Sequence, residues 1–506
     1  MIKFLKYVLK FFTNRFFIVS LLLLFQIAIV IYALYKITTF GYTMIAGLEI
    51  LGIVIVLFIL NRDFHPEYKI PWIIFVLLMP LAGFCFYLIY GRAHPPKRFA
   101  NKMSKVISNK IHQQVMENIE LRDLNHQRLA TYIKNTSGNA LFKNTKVSYL
   151  TPGEEFYQEL KESLQSATKF IFLEYYIIQE GKMWNTILNI LEEKVKQGVD
   201  VRLIYDDFGC MRRVPFNFRK KIKSLGIQVV NFNPFIPRLS TFLNYRDHRK
   251  IAVIDGNIGF TGGANLADEY INLVKKYGHW KDSALKIEGE AVFTLTSLFL
   301  ELWDFSTKTN SQLENYLPNV KVESDGYVQI FGDSPFDGHT ITENVYINII
   351  GNAKKYVYIT TPYLIIDNEM YTTLKTCAYS GVDVRIITPN IPDKKSVFFL
   401  TKSYYRKLIE AGVKVYQYLP GFIHSKGIIS DQDIAVVGSV NLDFRSLYLH
   451  FEVSCVLYQN ECLKDIKRDF EKIFELSKEM TLEDVKKIPI TQKAIAFFMK
   501  AFAPLL

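Results

Sequence analysis

The sequence predicts an α/β fold of two related halves that follows an N-terminal transmembrane helical region. Three observations support this prediction: apolar runs of strand length alternate with helical periodicity from about residue 145, short motifs recur later in the chain, and residues 1–92 contain long uncharged stretches. The chain has 506 residues, enough for two or three domains. Its composition, 49% apolar and 22% charged, excludes a disordered or fibrous protein.

The positive charge of the chain is concentrated at its N-terminal end. The first 110 residues contain thirteen Lys and Arg against three acids, and so carry most of the formal net charge of +12. The remaining residues are nearly neutral, which argues against a nucleic-acid partner because such partners require a basic surface. The basic residues flank the apolar stretches and therefore indicate contact with a membrane.

Three apolar stretches lie in the basic N-terminal region. Phe16–Tyr35 and Ile70–Tyr90 contain no charge, and Gly41–Leu60 contains only Glu49. Each is long enough to cross the roughly 30 Å hydrocarbon layer as a helix. We therefore predict two or three transmembrane helices and a multi-pass location in a cell membrane. Three spans leave the orientation open, whereas two spans place both basic flanks and the globular part in the cytoplasm.

A strand–helix–strand succession occurs twice in the remainder of the chain. Its first copy covers 169–178, 183–195 and 199–205, and its second copy covers 356–362, 370–378 and 382–387. The pentapeptide Gly-Val-Asp-Val-Arg opens the last strand of each copy. Two copies of one βα-rich unit are the simplest explanation.

A longer motif recurs within the same two copies. Each copy has the pattern His-x-Lys-x4-Asp, followed at identical spacing by a glycine-containing turn and an asparagine that come just after an apolar run. The motif residues are His248, Lys250, Asp255 and Asn265 in the first copy and His424, Lys426, Asp431 and Asn441 in the second. A chance match at one histidine is conceivable, but two extended matches are not.

These residues suit chemistry on an anionic phosphodiester. The two lysines neutralise phosphate oxygens, the two asparagines donate hydrogen bonds, and one imidazole attacks phosphorus while the other transfers protons. The two aspartates have two open roles, proton transfer or a structural contact. The five cysteines lack paired spacing and no metal-binding motif occurs, so we expect neither a metal nor another cofactor.

The duplicated motif resembles that of the phospholipase D superfamily, and within it the chain is most similar to bacterial cardiolipin synthases. Residues 80–92, 360–363, 438–446 and 501–506 carry the narrower resemblance. It implies two fused phospholipase D-like α/β/α sandwich domains with one active site at their interface. It also implies a phosphohistidine intermediate: one phosphatidylglycerol loses glycerol, and a second takes the phosphatidyl group to give cardiolipin.

The resemblance also implies roles for individual residues. Family members have an acid that steadies each motif histidine, and Asp282 and Glu452 are the candidates here. The resemblance implies that His248 is the nucleophile and that His424 is the acid and base, although the sequence alone does not decide which histidine has which role. The chain departs from the family pattern at 364–369, which concerns the substrate pocket.

The predicted domains are 1–92 (transmembrane region), 93–140 (basic linker), 141–315 (first half) and 316–506 (second half, ending in a tail that can contact the membrane). Residues 174–176 either line the site or belong to a core strand. The six other histidines are interpreted as surface or packing residues: His65, His94, His112, His126, His339 and His450.

Two other functions remain open from the sequence. Water in place of the alcohol acceptor would make the protein a membrane-tethered phospholipase D, and the same motifs occur in nucleases. A membrane scaffold without activity is a further alternative, which the two intact motifs disfavour.

Overall fold

The computed structural model describes residues 24–29, 31–32, 39–63, 65–91, 97–112, 119–234, 244–320, 322–336 and 338–505. The chain forms two compact units, and each is considered by itself. The smaller unit comprises the described residues of Met1–Pro96 together with Asn244 and the C-terminal residues from Phe498. The larger unit comprises those of Lys97–Phe235 and Tyr245–Phe497.

Three helices form most of the smaller unit: α1 (Thr39–Leu60), α2 (Pro66–Leu78) and α3 (Pro80–Tyr90). Tyr42–Leu60 has a mean hydropathy of 2.6 and is the one helix among the described residues with the length and composition to cross a membrane. Of the first predicted span, residues 24–29 and 31–32 are helical, and the rest lies outside the described residues.

The third predicted span, Ile70–Tyr90, is a helical hairpin rather than one helix. Trp72 packs against Tyr87 with ring centroids 5.8 Å apart, and Phe75 packs against Phe86 at 5.4 Å, so α2 and α3 run antiparallel. With 13 and 11 residues, the helices are about 20 and about 17 Å long. Neither reaches across the roughly 30 Å hydrocarbon layer. The prediction of a third continuous span is therefore wrong.

Proline and glycine explain this hairpin. Pro80 has no N–H to continue the helical ladder, and the chain leaves helical geometry at Met79 (φ −145°, ψ 78°). Gly83 then lets the two backbones approach, because a Cβ atom there would lie 2.7 Å from Cα of Val76. The carboxamide of Gln26 accepts the N–H of Ala82 at 2.9 Å and satisfies one donor of the first turn of α3.

The larger unit contains two mixed sheets, which confirms the predicted α/β class. The first sheet has the order β1-β9-β7-β6-β2-β3-β4, and the second has the order β10-β17-β16-β15-β11-β12-β13-β18. The strands of the first half are β1 Thr145–Leu150, β2 Phe170–Tyr175, β3 Asp200–Asp206, β4 Gln228–Phe232, β5 Arg246–Asp247, β6 Lys250–Ile254, β7 Ile258–Gly262, β8 His279–Lys281 and β9 Ala284–Gly289. Those of the second half are β10 Tyr327–Asp333, β11 Tyr356–Thr360, β12 Asp383–Pro389, β13 Lys414–Tyr418, β14 Gly421–Ile423, β15 Gly427–Ser430, β16 Ile434–Gly438, β17 His450–Tyr458 and β18 Ser477–Glu479.

Helices cover these sheets in both halves. The first half and the segment before it contain α4 Lys97–His112, α5 Leu124–Ser137, α6 Gly153–Ser166, α7 Lys182–Lys196, α8 Asp207–Cys210, α9 Phe218–Ser224 and α10 Val292–Thr307. The second half contains α11 Ile341–Asn352, α12 Asn368–Tyr379, α13 Lys395–Glu410, α14 Phe444–Tyr448, α15 Leu463–Glu475, α16 Leu482–Lys486 and α17 Ile490–Ala501. The alternation of β2, α7 and β3 and of β11, α12 and β12 agrees with the predicted repeat.

One buried helix joins the two halves. Residues 292–305 of α10 are all buried, and the same apolar cluster contains side chains of the first sheet, such as Phe172, and of the second, such as Val328 and Leu457. The rings of Phe172 and Phe299 stack with centroids 4.6 Å apart. The two halves therefore share one core, which fixes the position of one sheet against the other.

Part of the predicted basic linker forms the helix α4, which packs against α10. The ammonium group of Lys110 on α4 lies 2.9 Å from a carboxylate oxygen of Asp304 on α10, and both side chains are 1% exposed. Lys110 also donates to the carbonyl of Ser311, and Lys102 donates to that of Phe305 at 2.7 Å. These two bases are thus bound within the protein.

The two motif aspartates lie far from the motif histidines. Asp255 follows β6 and accepts the backbone N–H groups of Thr168, Lys169 and Phe170, just where β2 begins. Asp255 lies five positions, or about 17 Å, along the chain from Lys250, which begins β6.

Asp431 repeats this arrangement before β11. It accepts the N–H groups of Lys354, Lys355 and Tyr356 at 2.7–3.0 Å, and both aspartates have φ of +53°, in the left-handed turn region that aspartate tolerates. These contacts agree with the structural role that the sequence leaves open for Asp255 and Asp431, which hold the turns before β2 and β11. A part for the two aspartates in catalysis stays a prediction.

We expect Lys110→Ala to lower the free energy of unfolding by about 3 kcal/mol, because it leaves the carboxylate of Asp304 buried without its cation. Lys105→Ala, an exposed lysine on the same helix, is the matched control and should have little effect. Denaturant unfolding of both full-length variants in detergent measures the difference. Equal stability of the two variants would contradict the buried ion pair.

We expect Asp431→Ala to lower the free energy of unfolding by about 2 kcal/mol, because three backbone donors lose their charged acceptor. Turnover per folded molecule at low temperature should stay within about two-fold of the parent. Asp465→Ala removes an exposed carboxylate and serves as the control. If Asp431→Ala lost turnover while its stability stayed unchanged, Asp431 would act in catalysis rather than in holding the turn.

Candidate active site

The two motifs meet because each half pairs its backbone with the other. Strand β5 pairs with β17, and β14 pairs with β8, so each motif histidine follows a short strand held by the opposite half. His248 donates its backbone N–H to the carbonyl of Phe451 at 2.9 Å, and His424 donates its own to Lys281 at 2.7 Å. The two contacts are equivalent under an approximate two-fold relation.

The supporting carboxylates are exchanged between the halves in the same way. Nδ1 of His248 lies 2.9 Å from Oε1 of Glu452, and Nδ1 of His424 lies 2.7 Å from Oδ2 of Asp282. Both carboxylates are fully buried. A carboxylate at Nδ1 selects the tautomer that carries its proton there and leaves Nε2 with a free electron pair. The structure thus brings together all four of these predicted residues.

Each carboxylate has further donors that fix its orientation. Ser439, a residue of the glycine-containing motif turn, donates its hydroxyl to Glu452, the carboxylate that contacts His248. Asp282 accepts the backbone N–H of Ser283 at 2.9 Å. These donors fix the orientation in which each carboxylate meets its imidazole.

The two motif lysines are buried within the same site. Lys250 and Lys426 are 2% and 1% exposed, and each donates to the backbone carbonyl of its own motif histidine. Burial lowers the pKa of Lys250 to about 8 and that of Lys426 to about 7, although the neighbouring carboxylates act in the opposite direction. An anionic ligand would favour the protonated form of both groups.

Burial also keeps both motif histidines neutral. It lowers the pKa of His424 to about 4, with a further contribution from Lys426, and lowers the pKa of His248 well below its usual value. Lysines of both halves contribute to the shift at His248, as expected for one shared site. Burial alone would raise the pKa of Asp282, but His424 and Lys426 hold it below its usual value.

The two motif asparagines support neighbouring side chains. Asn265 accepts the N–H of Ile177 at 3.0 Å and donates to the hydroxyl of Tyr270 at 2.8 Å. The Tyr270 ring in turn meets the His424 ring edge-on at 5.4 Å. Asn441 donates to the hydroxyl of Ser446 at 3.2 Å. Substrate binding by these two asparagines stays a prediction.

His450, which the sequence analysis places among the surface or packing residues, lies beside the first motif. Its ring centroid is 5.4 Å from that of His248, and its Nδ1 lies 3.7 Å from Oε1 of Glu452. The sequence offers one signal for this position: His450 and Glu452 are two residues apart on β17, and residues two apart share a face of a strand.

The side chains of His248, His450 and Glu452 could also hold a metal ion. Their ligand atoms all lie within 4.8 Å of one another. Glu452 already accepts from both His248 and Ser439, however, so a metal ion would have to displace these bonds.

The structure separates the roles of residues 174–176. Tyr176 meets the His248 ring edge-on at 5.0 Å and so lines the site, whereas Tyr175 belongs to the apolar core. Glu174 forms a buried ion pair with Arg249 at 2.6 Å. Among the other histidines, His126 lies 3.7 Å from Asp433 and His94 lies outside the described residues.

Comparison with known proteins agrees with this geometry. Residues 160–303 and 346–474 match the family described as cardiolipin synthase, PLD-like domain, and residues 50–92 match the phospholipase D-nuclease N-terminal family. An uncharacterized protein of Streptococcus mutans is 42% identical over 89% of this chain and 99% of its own length. A cardiolipin synthase of Alkalihalophilus pseudofirmus is 36% identical over 91% of this chain and 92% of its own length.

The solved structure of phosphatidylserine synthase from Haemophilus influenzae shares the fold. It superposes with a TM-score of 0.60 at 17% identity and covers 76% of this chain and 98% of its own length. The family match covers both halves of the larger unit, and a named cardiolipin synthase aligns along most of the sequence. The protein therefore belongs to the cardiolipin synthase family of phospholipase D-like enzymes.

Proposed function

We propose that this chain transfers a phosphatidyl group from one phosphatidylglycerol to another, forming cardiolipin and releasing glycerol. The observation that carries the proposal is the buried pair of imidazoles, each with its Nδ1 on a carboxylate of the other half. The names of the relatives support the same product.

The first step forms a covalent intermediate. Nε2 of neutral His248 attacks phosphorus, the bond from phosphorus to the glycerol oxygen breaks, and His424 gives the leaving oxygen a proton. The bound phosphodiester and Asp282 favour the protonated state of His424 that this step requires. Lys250 and Lys426 stabilise the charge that develops on the phosphate oxygens.

The second step reverses the first with a different alcohol. His424 takes the proton of a hydroxyl group on a second phosphatidylglycerol. The oxygen of that hydroxyl group attacks phosphorus, and the bond from phosphorus to His248 breaks. The two steps consume two phosphatidylglycerols and yield one cardiolipin and one glycerol. The order of the histidines follows the family resemblance, and detection of a phosphatidyl group on His248 after acid-free quenching tests it.

The enzyme is membrane-associated, and we propose that it crosses the membrane twice. α1 is one span, and the apolar stretch before it is the other. The α2–α3 hairpin then enters and leaves on one face, because neither of its helices is long enough to cross. Of the thirteen bases up to residue 110, only Lys36 then lies outside the cytoplasm, which satisfies the positive-inside rule.

The tail helix α17 is a further candidate for membrane contact. Its apolar side chains Ile490, Phe497 and Phe498 are exposed, and its buried residue is Ala496. Lys493 and Lys500 lie on the same helix, a composition typical of helices at an anionic surface.

Purified full-length protein with labelled phosphatidylglycerol should give cardiolipin and glycerol. His248→Ala and His424→Ala should each lower kcat by at least about 1000-fold, because both steps need both imidazoles. His339→Ala removes an exposed histidine and is the matched control. Phosphatidic acid as the sole product would make the enzyme a hydrolase, and near-normal turnover of either variant would contradict the two-histidine mechanism.

We expect kcat/KM to fall as the pH rises from about 7 to about 8, because Lys426 and then Lys250 lose the protons that bind phosphate. Lys426→Arg keeps a cation at all accessible pH values and should move this decline to higher pH, even at a lower maximal rate. Lys355→Arg, an exposed lysine, is the control. An unchanged profile for Lys426→Arg would contradict the assignment of the decline.

A further inference from the structure

Exposed apolar side chains surround the edge of the sheets that carries the motif histidines. They lie in three segments, 207–217, 268–278 and 390–395, which together we call the apolar rim. Its exposed apolar residues are Phe208, Met211, Phe216, Leu273, Val274 and Ile391. Phe216 is completely exposed, and Leu273 is 51% exposed. Large apolar side chains grouped in this way indicate a binding surface.

Strand direction places the rim at the site. The first segment follows β3, which runs parallel to β2. The third segment follows β12, which runs parallel to β11. Tyr175, at the end of β2, pairs with Lys250, and Thr360, at the end of β11, pairs with Gly427. The second segment leads into β8 and thus to Asp282.

Contacts join the three segments into one surface. Arg213 of the first segment forms an ion pair with Glu269 of the second at 2.7 Å. Gly278 of the second segment bridges to Gly421, whose carbonyl also accepts the N–H of Ile391 in the third segment at 3.3 Å. The apolar residues therefore belong to one continuous rim on the larger unit.

The rim is also positively charged. Its exposed bases are Arg212, Lys275, Lys276, Lys394 and Lys395, each close in sequence to an exposed apolar residue.

The acids of the rim are partly buried and already have partners in the protein. Asp207 accepts a hydrogen bond from the side chain of Asn231, and Asp268 accepts the backbone N–H groups at the start of α7. Glu269 accepts a hydrogen bond from Arg213, and Asp393 accepts one from the hydroxyl of Tyr363. The charge that the rim offers to a partner is therefore positive.

We propose that the apolar rim docks onto the surface of an anionic lipid bilayer and holds the opening of the active site against it. The apolar residues enter the boundary between headgroups and acyl chains, and the bases contact lipid phosphates. This inference rests on the proposed function. It explains how a lipid enters a buried phosphodiester site from the bilayer without crossing water. An acidic protein is the alternative occupant.

Fluorescence tests the docking without requiring turnover. Cys85→Ser removes the one half-buried cysteine, and the other four are buried. Phe216→Cys or Val274→Cys in this background is labelled with an environment-sensitive dye, and the full-length chain is placed in phosphatidylglycerol vesicles.

Leu317→Cys and Tyr379→Cys are matched controls. Both residues are exposed and apolar, and they lie toward the opposite edge of the sheets, where Asp255 and the start of β12 are found. We expect blue-shifted emission at the rim positions and quenching by lipid-borne quencher about two-fold greater than at the controls. Equal quenching at all four positions would overturn the proposal, as would equal rim insertion in purely zwitterionic vesicles.

Kinetics provides the second readout. Phe216→Ser and Val274→Ser should each lower kcat/KM on vesicles by about ten-fold, because less apolar surface enters the bilayer. Activity on a monomeric short-chain phosphatidylglycerol should stay within about two-fold, and Leu317→Ser should change neither value. Equal losses on both substrates would overturn the docking role. Lipid insertion of the dye without cardiolipin production would refute the proposed function while supporting the docking surface.

Discussion

The exchange of carboxylates between the two halves is the interaction on which the site depends. His248 relies on Glu452 of the second half, and His424 relies on Asp282 of the first. Neither half is complete alone, because each supplies the group that orients the other's imidazole. The shared core around α10 supports this exchange, because it holds the two sheets in the positions that the short hydrogen bonds require.

Burial gives the site its chemical character. Two lysines, two histidines and two carboxylates lie together with almost no exposure, so their charges interact strongly. The lysines and the low polarity of the site keep the imidazoles neutral, while the carboxylates partly restore the charge of the lysines. An arriving phosphodiester adds the negative charge that this arrangement lacks. The charges of the site thus favour the binding of an anion, as the proposed transfer requires.

Sequence patterns predicted the repeat, the α/β class and the two motifs that meet in the site, because these depend on local periodicity and on motif spacing. The two carboxylates, Asp282 and Glu452, were implied by the family resemblance alone. The sequence patterns left two roles open for Asp255 and Asp431, because the motif spacing does not show that a strand lies between each aspartate and its histidine. His450 was missed for the converse reason: it reaches His248 only because β17 pairs with β5 across the two halves. The hydropathy of Ile70–Tyr90 likewise concealed the turn at Met79.

The sequence by itself determined that two copies of a His-Lys motif follow a basic, apolar N-terminal region in the chain, because residue identity and spacing encode both features. Only the tertiary structure decided which carboxylate serves which histidine and which bases remain available to lipid. Lys110 illustrates the difference: it contributes to the positive charge of the N-terminal region but is buried against Asp304. Pairing and burial depend on contacts between residues far apart in the chain, and a linear pattern does not record them.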